Sequence, residues 1–79
     1  MDLQVGMLWY DDARDLTLGE KIARAAAHYH AKYGQPPNIC YVPPQALTQE
    51  TPALDGMRIK GLPSLLPHHF WLGVAQAQV

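Results

Sequence analysis

The stretch TLGEKIARAAAHYHAKYG, residues 17–34, decides the fold because it predicts one long amphipathic helix. Thr17 and Glu20 have the spacing of a capping box, in which each side chain accepts a hydrogen bond from the other residue's backbone N–H. Gly34 favours the left-handed conformation that ends helices, and the prolines after it prevent the helix from continuing. We therefore predict a helix over Leu18–Tyr33, whose apolar stripe consists of Leu18, Ile22, Ala25, Ala26, Tyr29 and Tyr33.

Four shorter stretches predict β-strands, because their apolar residues alternate or form brief continuous runs. The first, residues 3–10, alternates between two faces. The second, residues 38–42, is apolar on both faces, as in a strand that is buried inside a sheet. The third, residues 57–60, carries two basic side chains on one face, which suits a sheet edge. The fourth, residues 69–74, is the last strongly apolar stretch.

The resulting element order is β-α-β-β-β, and 79 residues are expected to form a single domain over residues 1–79. We predict a small α/β (α+β) fold, in which a four-stranded mixed sheet carries one amphipathic helix on one face. The first strand, the helix and the second strand are expected to form a parallel, right-handed crossover. The last two strands are expected to pair as a hairpin.

One helix covers only one face of a four-stranded sheet, so the opposite face must be covered by something else or remain in water. Large exposed apolar patches usually mark interaction sites, and Trp and Tyr are frequent at the centres of interfaces. We therefore expect a protein partner or a second copy on that face. The alternative is that the leucines of residues 62–66 fold back over it.

The strand patterns assign side chains to the two faces. The register of the first strand decides which face Trp9 takes. Besides the helix stripe, the predicted core contains Val5, Met7, Ile39, Tyr41, Phe70 and Leu72. The opposite face is expected to contain Trp71 and some of Leu8, Tyr10, Cys40 and Val42, and the predicted interface anchors are Leu8, Trp9, Tyr10 and Trp71.

Composition and charge exclude several classes of protein. Six basic and seven acidic residues give a net charge of −1, without the basic excess of strong nucleic-acid binders. No apolar run approaches the roughly 20 residues of a membrane span, so we expect no membrane association. The N-terminal residues lack the basic start of a signal peptide, and the lone Cys40 fits a reducing compartment. These features predict a cytoplasmic protein.

The histidines and the cysteine lack the spacing of a metal site. His28 and His30 lie two positions apart on a helix and point in different directions, and His68 and His69 are adjacent in a strand, where neighbours face opposite ways. Cys40 lies in an apolar stretch that disfavours the thiolate. We therefore predict no metal and no cofactor.

Candidate catalytic groups also have simpler explanations. Asp11, Asp12 and Asp15 follow a strand, where α/β proteins often bind ligands, but a turn and helix capping account for them. Ser64 lacks the glycine context of a nucleophile elbow. Because no nucleotide-binding or metalloprotease motif is present either, we predict that the chain is not an enzyme and has no catalytic residues.

The outer side of the predicted helix carries a basic ridge, formed by Lys21, Arg24, His28 and Lys32. Their spacing of three or four positions aligns them along one line of the helix. Together with Arg58, Lys60 and exposed aromatic rings, this ridge would hold a phosphate backbone while bases stack. A small nucleic-acid-binding or nucleoprotein-complex subunit is therefore the alternative to a protein-interaction function.

Four motifs carry a resemblance to known sequences: residues 9–12 (WYDD), residues 20–34, residues 37–43 (PNICYVP) and residues 69–74 (HFWLGV). The chain resembles small bacterial or phage-type open reading frames to which no activity is assigned. The resemblance implies no functional residue, and it favours an accessory protein over a metabolic enzyme. We therefore predict a non-enzymatic accessory or protein-interaction module that self-associates or docks on a larger protein.

Overall fold

The chain folds in the predicted order of strand, helix, strand, strand and strand, and the single helical turn that Pro44–Leu47 favours after the second strand forms as a 3-10 turn. The structure is a computed structural model, which describes residues 3–47 and 52–75. Its elements are β1 (Leu3–Tyr10), α1 (Leu18–Tyr33), β2 (Ile39–Val42), the 3-10 turn (Pro44–Leu47), β3 (Arg58–Gly61) and β4 (His69–Ala75). The α+β class, with one helix and a four-stranded mixed sheet, is confirmed.

Both ends of α1 form as the sequence predicts. The Thr17 hydroxyl accepts a hydrogen bond from the Glu20 backbone N–H at 3.1 Å, and the Glu20 carboxylate accepts one from the Thr17 N–H at 2.9 Å. Gly34 adopts φ 80°, and its N–H donates to the His30 carbonyl at 2.9 Å. These contacts satisfy backbone groups that a helix end otherwise leaves without partners, so the boundaries of the helix are set locally.

The strand order is β1-β4-β2-β3, and β4 runs antiparallel to both of its neighbours. The predicted hairpin of the last two strands is wrong, because β3 pairs in parallel with β2 and does not contact β4 in the sheet. β1 and β2 run parallel, as the predicted crossover requires, and β4 lies between them. The physical reason is burial: β4 is apolar on both faces and takes an interior position, whereas the short, basic β3 takes an edge.

Asn38 joins three strands at the start of β2. Its backbone N–H donates to the Gly73 carbonyl at 3.0 Å, and its own carbonyl accepts from the Arg58 N–H at 2.9 Å. Its side-chain oxygen accepts from the Ala75 N–H at 2.8 Å. This residue therefore fixes β4 on one side of β2 and β3 on the other.

The main core lies between α1 and one face of the sheet, which we call the helix-side face. The sequence analysis placed Ile39 and Tyr41 in this core, and that prediction is wrong. Ile39 is paired with Gly73 and Tyr41 with Trp71, and both pairs lie on the other face of the sheet. Cys40, which is paired with Leu72, lies in the core between them. A strand that is apolar on both faces gives no pattern from which to choose, and a one-residue shift exchanges the faces. The side chain of Val5 lies outside the described part of the structure. The buried cluster consists of Leu18, Ile22, Ala25, Tyr29, Cys40, Val42, Phe70 and Leu72.

Candidate interaction surface

The face of the sheet that points away from α1, which we call the reverse face, is the candidate functional surface. Paired residues share a face, so the register places Leu8 beside Trp71, and Trp71 beside Tyr41. Leu8 and Tyr10 are each 55% exposed, although Ile39 on the same face is only 2% exposed. The described residues of the reverse face are Gly6, Leu8, Tyr10, Ile39, Tyr41, Arg58, Lys60, His69, Trp71 and Gly73.

The leucine-rich loop of residues 62–66 does not cover the part of the reverse face that contains Leu8 and Tyr10. Leu66 is itself 66% exposed, while Leu62 and Leu65 are partly buried. The loop therefore does not cover Leu8 and Tyr10, which remain more than half exposed. Among the residues of the reverse face whose exposure the structure describes, the uncovered large apolar side chains thus lie on β1, at the edge of the sheet.

Trp71 lies across the backbone of β1 at Gly6. A Cβ placed on Gly6 would stand 2.4 Å from Cζ2 and 2.7 Å from Cε2 of the Trp71 indole. The backbone of Gly6 needs no left-handed φ, so the small size of glycine is what matters here. A glycine inside a strand pattern is a signal of close approach, and this signal was present in the sequence.

Tyr10 lies among polar and aromatic groups at one end of the reverse face. Its ring lies 5.0 Å from the His69 ring and 6.4 Å from the His68 ring, centroid to centroid. Its hydroxyl donates to Asp12 Oδ2 at 3.1 Å, and this hydrogen bond is the main reason why the pKa of Tyr10 is raised. His69 Nδ1 lies 2.8 Å from the Pro67 carbonyl, which only accepts, so this nitrogen carries a proton.

Charge is distributed unevenly across the reverse face. The β1 side ends at Tyr10 and the acidic Asp12, whereas the β3 side carries Arg58 and Lys60, both exposed. Trp71 on β4 and Tyr41 on β2 lie between these two sides. The surface therefore combines an apolar and aromatic strip along one edge with a basic strip along the other.

Trp9 lies on the helix-side face, away from the other three predicted anchors. It is paired with Phe70, packs against the main core, and its ring lies 4.5 Å from the His28 ring. The register thus separates Trp9 from Leu8 and Tyr10, its neighbours in the chain. Whether any of the four anchors contacts a partner stays a prediction.

The predicted basic ridge follows α1, which packs on the side of the sheet opposite to the reverse face. Arg24, His28 and Lys32 are exposed, and Lys21 is partly buried. His28 lies against Trp9, and the ammonium group of Lys32 lies 5.3 Å from the centroid of the Tyr33 ring. The ridge is therefore separated by the sheet from Arg58, Lys60 and the exposed aromatic rings with which the sequence analysis combined it.

A cleft of about 330 Å³ opens where the carboxyl ends of β1 and β2 lie near the start of α1. His68 borders it with φ 66°, and the His68 carbonyl accepts the Asp11 N–H at 3.0 Å. A more polar cleft of about 370 Å³ adjoins it, where Asp12 faces Arg14 and Lys21. Because both charge signs are present there, the cleft favours no particular ion. The first cleft is lined by Leu16, Leu18, Lys21, Pro43, Gln45, Ala46, Pro67, His68 and Phe70.

The other candidate chemical groups are placed apart. Asp11 Oδ1 accepts a hydrogen bond from the Ala13 N–H at 3.0 Å, as in a turn, and Asp12 accepts one from Tyr10. Cys40 lies in the main core, where burial raises the pKa of its thiol to about 12. Within residues 3–47 and 52–75, no group of three or more His, Cys, Asp or Glu side chains is placed to bind a metal ion.

None of the helices in the described ranges combines the length and the apolar content that crossing a bilayer requires. Comparison with protein-family models, with curated proteins and with solved structures finds no match to this chain.

Proposed function

We propose that the chain is a non-enzymatic interaction module whose reverse face binds another protein surface. One observation carries the proposal: Leu8 and Tyr10 are each 55% exposed on the same face, next to Trp71. Burying a fully exposed Leu side chain contributes about 1.5–3 kcal/mol, so covering the open half of Leu8 contributes about 1 kcal/mol. Tyr and Trp add large, rigid contact area.

The size of the chain supports the same proposal. A domain of 79 residues buries only about 60–65% of the surface that its unfolded chain exposes, which leaves its stability small. A partner that binds only the folded chain adds its binding free energy to that stability. Covering the reverse face therefore both serves binding and stabilises the fold.

The positions of the charges favour a protein partner over a nucleic acid. The basic ridge on α1 and the exposed rings of the reverse face lie on opposite sides of the sheet, so one strand of nucleic acid does not reach both. Arg58 and Lys60 share the reverse face with these rings, but they lie on the far edge, two strands away from β1. Tyr10 also lies beside Asp12, whose carboxylate repels phosphate. The unpaired, buried Cys40 fits the cytoplasmic location that the sequence predicts.

Site-specific photo-cross-linking in the native host tests the proposal. The cross-linking amino acid benzoylphenylalanine is placed at position 10 of the full chain, in the exposed strip. We expect covalent adducts with protein from this position, and an unchanged adduct yield when the salt concentration is raised before irradiation of a cell extract. Apolar contacts are nearly insensitive to salt, whereas phosphate contacts weaken steeply with it.

Two matched positions serve as controls. Leu66 is an exposed apolar residue outside the sheet, and Arg24 lies on the basic ridge. We expect few adducts from either. Adducts from position 24 alone, or equal yields from positions 10 and 66, would contradict the proposal.

A further inference from the structure

The two edges of the sheet differ in how well they are protected against pairing with another strand. The edge strand β3 has four residues, and two of them are the charged Arg58 and Lys60. The edge strand β1 has eight residues, LQVGMLWY, without a charged residue or a proline. Long, uncharged edge strands are the ones that add a further strand, and proteins normally protect them. The ladder of β1 is irregular between Leu3 and Gly6 and regular from Gly6 to Tyr10. No strand within residues 3–47 and 52–75 pairs with the outer edge of this regular part, which is therefore available for pairing.

The backbone groups that β1 presents outwards follow from its ladder with β4. The Asp11 N–H donates to the His68 carbonyl at 3.0 Å, and Asp11 continues the register in which Tyr10 lies opposite His69. Because backbone groups alternate in direction along a strand, those of Met7 and Trp9 also point to β4. The N–H and C=O groups of Gly6, Leu8 and Tyr10 then point away from the sheet.

We propose that this edge pairs antiparallel with β1 of a second copy, so that two four-stranded sheets join into one continuous sheet across a twofold axis at Leu8. The inference rests on the proposed function and names a second copy as the partner, which lies along the β1 edge beside Leu8 and Tyr10 of the reverse face. The register places Leu8 opposite Leu8 of the second copy and Gly6 opposite its Tyr10, which provides about six backbone hydrogen bonds between the chains.

This register matches the side chains as well as the backbone. The partner's Tyr10 enters on the reverse face beside Gly6, where it meets the Trp71 indole that already covers this glycine, and two neighbouring aromatic rings pack favourably. On the helix-side face, Met7 of one copy lies opposite Trp9 of the other, and a thioether next to an aromatic ring is favourable. The same pairing therefore brings Leu8 and Tyr10, which are each 55% exposed, into contact with side chains of the second copy.

A twofold arrangement is also the commonest one for identical subunits, and it requires a surface that complements itself. A single strand edge satisfies this condition because antiparallel pairing is symmetric. The β3 edge does not complement itself well. Twofold pairing there would bring Arg58 and Lys60 close to the same basic residues of the second copy, and like charges in paired strands repel each other.

The first test is the mass of the full chain by sedimentation equilibrium, for which we expect a dimer that dissociates on dilution. The variant Leu8→Pro removes an outward N–H without removing a bond to β4, and we expect its dimer dissociation constant to rise about tenfold or more. Lys60→Ala, on the opposite edge, serves as the control and should leave the dimer unchanged.

The second test does not depend on a variant that weakens pairing. In the proposed register the two Leu8 Cα atoms lie about 5.5 Å apart, within the range of a disulfide. Leu8→Cys should therefore form a disulfide-linked dimer under mild oxidation. Wild type, whose only thiol is the buried Cys40, and Lys60→Cys should remain without a cross-link.

The outcomes separate this inference from the proposed function. A monomer at all concentrations, or a dimer in which Leu8→Cys does not cross-link, overturns the β1 pairing. In either case, adducts from position 10 to a different protein still support the proposed function. If position 10 also gives no adducts, the proposed function fails as well.

Discussion

The indole of Trp71 lies directly over Gly6, so that a Cβ on Gly6 would stand 2.4 Å from the nearest ring carbon. Gly6 lies opposite Gly73 in the ladder, and Trp71 is the neighbour of Gly73 that shares their face. Two small residues side by side thus make the space that this indole occupies.

Replacing Gly6 with alanine should destabilise the fold, because the added methyl group displaces the indole. We expect Gly6→Ala to lower the free energy of unfolding by about 1–3 kcal/mol, measured by urea denaturation. Gly61→Ala is the matched control, since a Cβ there stands 3.5 Å from Pro44, an ordinary contact. In a double-mutant cycle, Trp71→Leu should remove most of the cost of Gly6→Ala, and additive effects would contradict the account.

The helix cap makes a prediction about stability that does not involve the sheet. Thr17→Ala removes the hydroxyl that accepts the Glu20 N–H, and we expect a loss of about 1 kcal/mol in the free energy of unfolding. Thr17→Ser keeps the hydroxyl and should remain close to wild type in the same measurement. Equal losses in the two variants would show that the methyl group of Thr17, and not the cap, is responsible.

Cys40 makes a prediction about pH. Burial raises the pKa of its thiol in the folded chain to about 12, whereas the thiol of the unfolded chain ionises near 9.0. Below pH 9.0 the thiol is protonated in both states, and the stability is fully present. Between these two pKa values only the unfolded chain releases the proton. The free energy of unfolding should therefore fall with pH, by up to about 1.4 kcal/mol per pH unit from this group.

The variant Cys40→Ala isolates that contribution. Tyr29 has a pKa that burial also raises, so wild type and variant both lose stability at alkaline pH. We expect the loss between pH 8 and pH 10.5, measured by urea denaturation, to be smaller in Cys40→Ala. Parallel pH profiles of the two proteins would contradict the burial of this thiol.

The hydrogen bond between Tyr10 and Asp12 predicts how the pKa of Tyr10 changes when the charge of Asp12 is removed. The Tyr10 hydroxyl donates to the Asp12 carboxylate, which raises the pKa of Tyr10. Asp12→Asn removes the negative charge, and we expect the pKa of Tyr10 to fall, as followed by the NMR signals of its ring. Asp15→Asn is the control with the same change in charge. A similar fall in this control would mean that general electrostatics, and not the contact, sets the pKa.

Local signals in the sequence were sufficient for the helix and for the fold class. Thr17, Glu20 and Gly34 determine the helix ends by contacts within a few residues, so their effect does not depend on the rest of the fold. The basic residues of β3 correctly indicated a sheet edge, because charged side chains are disfavoured inside a sheet.

The strand order depends on contacts between distant residues, which explains the errors of the sequence analysis. The wrong hairpin prediction followed from the closeness of β3 and β4 in the chain, whereas Asn38 ties β2 to both of them. The faces of Ile39 and Tyr41 were exchanged because their strand is apolar on both sides. For the candidate surface, Leu8, Tyr10 and Trp71 share the reverse face as expected, while the register places Trp9 elsewhere.

Amide-resolved hydrogen exchange of the full chain, at a low and at a high protein concentration, tests the β1 interface most directly. The outward N–H groups of Leu8 and Tyr10 are expected to exchange slowly at high concentration and to lose that protection on dilution, while the inward N–H of Trp9 changes little. Rapid exchange at Leu8 and Tyr10 at every concentration would contradict the interface.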